Sequence, residues 1–369
     1  MNKITIFLIA VIVMQLFQVS ARANQCLQKI TTAIENNTKN SPAVGLLVIK
    51  DGKTLYKKAN GLAEIENQIK ATNQTSFPLI SITQMMTASA ILKLEEQGKL
   101  SIDDKASKYL KLLPKEFNDI KISNLLFHTS GLPNYLDYND NKDVQNNFGP
   151  YVDDEVKTSI TFNRKYITEF IKKQNLKFKS GQEFYWSSTN YWLLARIIEN
   201  TSGKSYSDYI NDHIFKKIDA KNSYILNSKN KNSTEIKSYL EWPMYKKYIN
   251  KISENFPDSD GDAGVIMSFD DFELYINNFF LKNGMFTKNE TQKRFIAPVV
   301  DSWYKNKFGF GMFHSSYKHN KIHAGGFAPF YHTVFAHYTD KNLTVAILSG
   351  SEITSYATTN MANEIVRCF

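Results

Sequence analysis

The sequence has 369 residues, of which 42% are hydrophobic and 22% are charged. This composition is typical of a folded globular protein and is too apolar for an intrinsically disordered chain. The formal net charge is +9, but the basic residues are scattered among Asn, Glu and Ser and form no basic stripe. The charge is therefore best explained by a solvated surface, and the sequence argues against nucleic acid as a partner.

The N-terminal segment has the features of a secretory signal. An apolar run follows Lys3, and Ala21-Arg22-Ala23 matches a cleavage site of the A-x-A type. We therefore predict a signal peptide over residues 1–23, with an N-terminal membrane anchor as the alternative. After cleavage before Asn24, no remaining stretch is long and apolar enough to form a stable transmembrane segment. The mature chain is expected to be exported, either periplasmic or secreted.

The chain contains two cysteines, one near each end of the predicted mature protein. Cys26 follows the expected cleavage site, and Cys368 is the next-to-last residue. Two cysteines in an oxidising compartment favour a disulfide. We predict a Cys26–Cys368 bridge that ties the two ends together, with two unrelated buried thiols as the alternative.

Residue spacing predicts the elements in the first third of the chain. Residues 26–37 have helical spacing, and residues 43–65 predict two strands joined by Asp51-Gly52, a dipeptide typical of hairpin turns. Residues 81–98 are apolar on most sides and predict a buried central helix that ends at Gly98.

Helices dominate the middle of the chain. Residues 122–135 predict a short helix followed by a turn, and residues 188–203 predict a longer helix closed by Gly203. Residues 136–160 and 226–262 are rich in Asn, Lys, Asp and Ser. These two stretches predict long surface insertions around a cleft, where function is often found.

The last third begins with a helix and continues with strands. Ser268, followed three residues later by Asp271, predicts a helix N-cap with a reciprocal acid over residues 268–280. Three successive antiparallel strands and a final helix are then predicted for residues 308–319, 323–338, 343–350 and 356–369.

These elements predict an α+β fold. An antiparallel sheet would form from the first hairpin and the last strands, flanked by the terminal helices. We expect one domain over residues 24–369, with a sheet lobe from about 24–75 and 300–369 and a mostly helical lobe from about 76–299. A cleft would lie between the lobes.

Ser81 is the first candidate for chemistry because it stands at the start of the predicted buried helix. Backbone N–H groups are unpaired in the first turn of a helix, and the helix field there favours negative charge. A hydroxyl and an oxyanion donor would thus lie side by side.

Six blocks in order resemble the β-lactamase-related serine hydrolases, which include class C β-lactamases, D-alanyl-D-alanine carboxypeptidases and esterases built on the penicillin-binding fold. The resemblance covers most of residues 40–352 and implies a β-lactamase/transpeptidase-like fold. The blocks are "TSFPLISITQMMTASAILKLEEQGKLSIDDKASKYL", "ISNLLFHTSGLPNY", "SGQEFYWSSTNYWLLARIIENTSGKSYSDYI", "GDAGVIMSFDDF", "FGFGM" and "HAGGFAPF".

The resemblance places three active-site motifs on this sequence. In the S-x-x-K motif the nucleophile is Ser81 and the lysine position is Gln84. In the Tyr-x-Asn motif the tyrosine position is Trp186 and the asparagine position is Ser188, with Ser187 retained between them.

The third motif is a strand of the type His-x-Gly or Lys-Thr-Gly, and it falls on His323-Ala324-Gly325. By the resemblance, the backbone N–H of Gly326 would join that of Ser81 to form an oxyanion hole.

The chain therefore lacks both customary bases. A Gln amide is neutral, and the Trp indole nitrogen is only a donor, so neither Gln84 nor Trp186 can take the Ser81 proton. A positioned general base typically contributes about 10²–10⁴ in rate. We accordingly expect a catalytically impaired protein or a ligand-binding pseudoenzyme.

The alternative is an active serine hydrolase that forms an acyl-Ser81 intermediate with an unusual base, for which His323 is the candidate. His128 is expected to bond loop backbone instead. A purely structural envelope protein is a third possibility.

The implied ligands are a peptidoglycan peptide, a β-lactam or a small acyl or ester compound. The histidines and cysteines match no metal-site spacing, so no metal and no other cofactor is expected.

Overall fold

The computed structural model describes residues 3–111, 113–137, 139–142, 162–226, 235–237, 239, 260–281, 284–328, 331–351 and 354–369. Most of the two predicted insertions, residues 136–160 and 226–262, lies outside these ranges. The fold is β-lactamase/transpeptidase-like, with an antiparallel sheet and helices on both of its faces.

Thirteen strands are described. They are β1 Val44–Lys50, β2 Lys53–Asn60, β3 Leu62–Glu64, β4 Ile69–Lys70, β5 Ser76–Pro78, β6 Ser223–Ile225, β7 Val265–Ser268, β8 Val300–Asp301, β9 Lys307–Gly309, β10 Met312–Ser315, β11 Lys321–Ala328, β12 Tyr331–Tyr338 and β13 Leu343–Ser349. Eight of them form the main sheet in the order β2-β1-β13-β12-β11-β10-β9-β8.

Ten α-helices are described. They are α1 Lys3–Thr38, α2 Thr83–Glu96, α3 Ile122–Leu126, α4 Arg164–Lys172, α5 Ser188–Ser202, α6 Tyr206–Ile210, α7 Asp260–Ala263, α8 Phe269–Ile276, α9 Asn289–Phe295 and α10 Thr354–Arg367. Short 3₁₀ turns span Ile80–Ile82, Ala106–Lys108, Lys115–Phe117, Lys216–Ile218 and Trp303–Lys305, and π-helical turns span Asn211–Phe215 and Asn277–Leu281.

The main sheet joins the two ends of the chain, as the sequence predicts. The first hairpin, β1 and β2, turns at Asp51 and Gly52, which have φ of 51° and 72°. These left-handed conformations suit a tight hairpin turn. β1 then pairs along its whole length with β13, from Val44 opposite Ser349 to Lys50 opposite Leu343.

Terminal helices cover one face of the sheet. Leu27 and Ile34 of α1 and Ile365 of α10 pack in one buried cluster with residues of β1 and β13. The predicted disulfide is formed between Cys26 and Cys368, whose Cα atoms are 5.6 Å apart. α1 runs without a break through the predicted signal segment. Within the described ranges, no helix is apolar over a length that would cross a membrane.

α2 lies at the centre of the larger core on the other face. Every residue from Thr83 to Leu94 is buried, because α5, α7 and the 3₁₀ turn before α2 all pack against it. Gly98 follows the helix with φ of 68°, as expected for a glycine that ends a helix.

Two predictions for the last third of the chain are corrected. Five strands, β9 to β13, are found where three were expected. Residues 308–319 fold into the β9–β10 hairpin, and residues 323–338 divide into β11 and β12. The first of these hairpins turns at Gly311, which has φ of 82°.

The cap of α8 is formed only in part. Ser268 Oγ accepts a hydrogen bond from the Asp271 N–H at 3.2 Å. The Asp271 carboxylate does not return the bond, because it accepts from the Asn222 N–H and the Ser223 hydroxyl at 2.7 Å each. The Ser268 N–H donates to the Asn222 carbonyl instead.

Candidate functional site

Ser81 lies in the 3₁₀ turn that leads into α2. The preceding residue, Ile80, has φ of 49°, a left-handed conformation that is rare for a β-branched residue. Such strain is often found at functional sites. Ser81 is half-buried, and within the described ranges its hydroxyl has no hydrogen-bond partner. Thus no described imidazole or amine nitrogen forms a hydrogen bond with the Ser81 oxygen.

Gly326 of β11 lies directly against this turn. A Cβ atom at Gly326 would be 2.8 Å from the Ser81 backbone nitrogen and 2.5 Å from Ile80 Cβ. The neighbouring strand is fixed to the turn as well, since the Thr333 hydroxyl donates to the Leu79 carbonyl at 3.1 Å. The structure therefore brings the backbones of Ser81 and Gly326 together, while Gly325 is exposed beside them.

The same strand has a partly open edge. Lys321, Ile322 and His323 pair with β10 on one side, whereas residues 324–328 pair with β12 alone among the described strands. An open strand edge presents backbone donors and acceptors to an extended ligand.

Gln84 and His128 form a buried hydrogen-bonded pair. The distance from His128 Nε2 to Gln84 Oε1 is 3.2 Å. The other ring nitrogen, Nδ1, accepts from the Ser187 backbone N–H and from the Asn190 amide, both at 3.1 Å. Because a backbone N–H can only donate, the ring proton must be on Nε2. Gln84 Oε1 is therefore the acceptor.

Burial keeps this histidine neutral. His128 is fully buried, and its burial lowers its pKa to about 3. Gln84 Nε2 is also buried, and it has no hydrogen-bond partner within the described ranges. The lysine position thus holds an uncharged amide beside an uncharged imidazole. The predicted backbone contact of His128 is present, at Ser187, but the contact with Gln84 was not foreseen.

Trp186 is half-buried and lies against the same histidine, with ring centroids 5.5 Å apart. Ser187 is buried, and its hydroxyl donates to the Pro133 carbonyl at 3.1 Å. Ser188 is the first residue of α5 and is buried. Its backbone N–H donates to Asn134 Oδ1 at 3.2 Å.

His323 is on β11, as the sequence predicts, but no hydrogen bond joins it to Ser81. Its ring is stacked on Phe313 with the centroids 5.6 Å apart. Nε2 is buried and, within the described part of the chain, has no hydrogen-bond partner. Burial, together with the charges of Lys321 and His314, lowers the pKa of His323 to about 3, so its ring is a weak base.

Asp262 is a buried acid that the sequence analysis missed. Its carboxylate accepts from the Tyr135 hydroxyl at 2.8 Å, and burial is the main cause that raises its pKa to about 7. A hydrogen bond from the Ser188 hydroxyl opposes this rise in pKa, so the carboxyl lies beside Ser188, the predicted asparagine position. Nothing in the polar stretch around residue 262 indicates burial, since the acid lies at the end of a predicted surface insertion.

Comparison with known proteins agrees with the β-lactamase/transpeptidase-like class that the fold defines. A family model described as beta-lactamase matches residues 25–363. The chain therefore belongs to the beta-lactamase family.

Two groups of known proteins illustrate the relationship. Protein flp of Staphylococcus aureus (strain MW2) is 28% identical over 310 residues, which are 82% of this chain and 59% of that protein. A putative D-alanyl-D-alanine carboxypeptidase of Escherichia coli (strain K12) is 32% identical over 190 residues, covering 47% of this chain and 41% of that protein. This chain thus spans about three fifths of the length of its Staphylococcus aureus relatives.

Solved structures are similar in fold. The octameric penicillin-binding protein homologue from Pyrococcus abyssi superimposes with a TM-score of 0.75 at 22% identity, over 91% of this chain and 77% of that chain. A penicillin binding protein from Bacillus halodurans gives a TM-score of 0.76 at 20% identity, over 92% of this chain and 99% of that chain.

Proposed function

We propose that this chain is an exported member of the family that binds an acyl ligand beside Ser81 but turns it over slowly or not at all. The carrying observation is the pair formed by Gln84 and His128, whose Nε2 and Oε1 atoms are 3.2 Å apart. Neither group is charged, and both acceptor atoms of the pair are already occupied. Gln84 Oε1 accepts from His128 Nε2–H, and His128 Nδ1 accepts from the Ser187 N–H and the Asn190 amide. A serine hydroxyl without a base is a weak nucleophile at neutral pH.

Ligand binding is supported by the parts of the site that remain. The strained turn at Ile80 and the close approach of Gly326 to Ser81 support the proposal of an oxyanion hole between these two backbones. The open edge of β11 suits an extended peptide or acyl chain. Together with the names of the relatives, these features favour a peptidoglycan peptide, a β-lactam or a small ester as the ligand class.

Export is part of the proposal. The Cys26–Cys368 disulfide suits an oxidising compartment, and the signal-like residues 1–23 precede it. We propose that residues 24–369 form one mature domain. N-terminal sequencing of the secreted or periplasmic protein tests this, and a mature chain that still begins at Met1 would contradict it.

Acylation mass spectrometry tests the proposed loss of reactivity. Wild-type protein is expected to gain no mass at Ser81 with fluorescent penicillin or a fluorophosphonate. A variant with Gln84→Lys, Trp186→Tyr and Ser188→Asn is expected to gain labelling, since it regains an amine and a phenol. Ser81→Ala in the variant background is the control, and it should abolish the label.

Two results separate the alternatives. Stoichiometric labelling of wild-type Ser81 would overturn the proposed impairment and favour an active serine hydrolase. Ester or β-lactam hydrolysis by pure wild-type protein that survives Ser81→Ala would exclude Ser81 as its nucleophile.

A further inference from the structure

A tight turn between β8 and β9 presents aromatic side chains to solvent. The turn is closed by two backbone hydrogen bonds, from the Ser302 N–H to the Asn306 carbonyl at 2.8 Å and from the Asn306 N–H to the Trp303 carbonyl at 3.1 Å. Inside it, Tyr304 and Lys305 have φ of 56° and 62°. Two successive non-glycine residues in this conformation are strained, and strain of this kind is often kept for function.

Trp303 is large, apolar and open to solvent, although it also has rings packed on its inner side. It is 46% exposed. The centroids of the Phe313 and Trp303 rings are 6.4 Å apart, with an angle of 25° between the ring planes. The Phe184 ring meets Trp303 edge-on, with the centroids 5.2 Å apart. The indole is therefore held in place, not free to turn in solvent.

These rings connect the turn to the candidate site. Phe313 is stacked on His323 at 5.6 Å and 23°, so His323, Phe313 and Trp303 form a ladder of nearly parallel rings. The ring of Phe184, two residues before Trp186, packs edge-on against His128 with the ring centroids 6.0 Å apart. The exposed end of the ladder is thus at the edge of the region that contains the motif residues.

The charge beside the ladder is positive. Lys305 is exposed and forms no ion pair within the described ranges, whereas Lys307 is already paired with Asp301 at 3.5 Å. An unpaired ammonium two residues from an open indole favours a ligand that has both a flat ring and a negative charge.

We infer that Trp303 and Lys305 form a binding site for an aromatic carboxylate or a similar aromatic anion. The ring would stack on Trp303 and extend the ladder, and the anionic group would pair with Lys305. This site goes beyond the proposed function, because it lies on the turn between β8 and β9 and does not depend on a ligand beside Ser81.

Calorimetric titration of the full chain with 1-naphthoate tests this site. Its neutral analogue, 1-naphthalenemethanol, and an aliphatic anion, cyclohexanecarboxylate, separate the contribution of the ring from that of the charge. Wild type should bind 1-naphthoate more tightly than either. Trp303→Ala should weaken 1-naphthoate binding by roughly three- to ten-fold, and Trp303→Phe should restore part of it.

Lys305→Gln should weaken the binding of 1-naphthoate by roughly two- to five-fold and leave the affinity for the neutral analogue unchanged. Tyr317→Ala is the matched control, because Tyr317 is also exposed, at 78%, and lies beside Lys318, which has φ of 63°. Its ring has no aromatic ring packed beneath it among the described residues. Tyr317→Ala should leave the binding of 1-naphthoate unchanged.

Several results would overturn the inference. They are an absence of 1-naphthoate binding to wild type, equal binding by wild type and Trp303→Ala, or an equal loss in Tyr317→Ala. Should Trp303→Ala fail to fold, Lys305→Gln and Trp303→Phe decide the question. Labelling of Ser81 bears on the proposed function alone, so the two proposals fail separately.

Discussion

His128 carries its ring proton on Nε2 because the Ser187 backbone N–H donates to Nδ1 at 3.1 Å. That one proton determines what residue 84 can do. An amide oxygen accepts it, whereas a lysine ammonium at the same position would meet another donor in a buried place. Gln84 and His128 are therefore a matched pair.

Replacing His128 tests the worth of this pair. His128→Phe keeps an aromatic ring but leaves three groups without their partner: Gln84 Oε1, the Ser187 N–H and the Asn190 amide. We expect the free energy of unfolding to fall by about 3 kcal/mol, since each buried polar group left unpaired costs about 1–3 kcal/mol. Urea denaturation measures the change. His319→Phe, at a partly exposed histidine, is the control, and equal losses in both variants would contradict the expectation.

Asp262 should give the protein an unusual pH dependence. Its pKa in the folded protein is about 7, against an ordinary value of 3.8 for an aspartate. The folded state therefore holds a proton that the unfolded state releases, so the contribution to stability is complete below pH 3.8 and is lost as the pH rises towards 7. Each unit of pKa difference corresponds to about 1.4 kcal/mol.

Asp262→Asn should remove this contribution. The difference in unfolding free energy between Asp262→Asn and wild type should shift in favour of the variant as the pH rises from about 4 to about 7. Urea denaturation of both proteins across this range measures it. Parallel curves for the two proteins would show that the carboxyl does not titrate in this window.

At the scale of elements, the site depends on how closely β11 approaches the turn before α2. Gly326 permits that approach, because a Cβ there would be 2.5 Å from Ile80 Cβ. At the neighbouring Gly325 a Cβ would meet, among the described residues, only the Thr333 carbonyl oxygen, at 3.2 Å. An added Cβ atom is thus expected to be tolerated better at Gly325 than at Gly326.

Gly326→Ala and Gly325→Ala form a matched pair of variants. Gly326→Ala should push β11 away from Ser81 and lower the free energy of unfolding by about 1–3 kcal/mol, as overpacking does. It should also reduce any labelling of Ser81 gained by the triple variant. Gly325→Ala should cost less on both measures, and a larger loss in Gly325→Ala would contradict this account.

Long elements were predictable from sequence and short ones were not. The helix predicted for residues 188–203 is present as α5, Ser188–Ser202, and ends at Gly203 with φ of 71°. The three-residue strands β5 and β6 were missed, because so short a segment shows no hydrophobic period. Asp271 was assigned to the wrong partner because a local pattern does not show that Asn222 and Ser223 lie nearby.

The candidate site also has parts that the sequence predicts and parts that it does not. The motif blocks predict Ser81, Gln84, Trp186 and the strand from His323 to Gly326 as site residues, and their roles stay predictions. The links between these segments depend on tertiary packing, so the contact of His128 with Gln84 and the burial of Asp262 could not be predicted.

At the scale of the whole molecule, the Cys26–Cys368 disulfide connects residues 342 positions apart. It fixes α1 to α10 on the sheet face that both helices cover. A native disulfide typically contributes about 2–4 kcal/mol, largely by restricting the unfolded chain.

Cys26→Ser with Cys368→Ser should therefore lower the melting temperature of the full chain. The double variant should still bind whatever ligand wild type binds, since the helices that carry the bridge pack in a different core cluster from α2. Scanning calorimetry with and without reductant measures the effect. Reductant should lower the melting temperature of wild type to that of the variant, and an unchanged wild-type melting temperature would show that the bridge is absent or without effect.

The closeness of Cys26 to Cys368 has a consequence for chain connectivity. With Cα atoms 5.6 Å apart, a short peptide could join these two positions in place of sulfur. The chain could then be opened at the exposed Asp51-Gly52 turn, where a cut disturbs no buried group. A circular permutant of this kind would fold only if the antiparallel sheet is specified by its contacts and not by the order in which its strands are made.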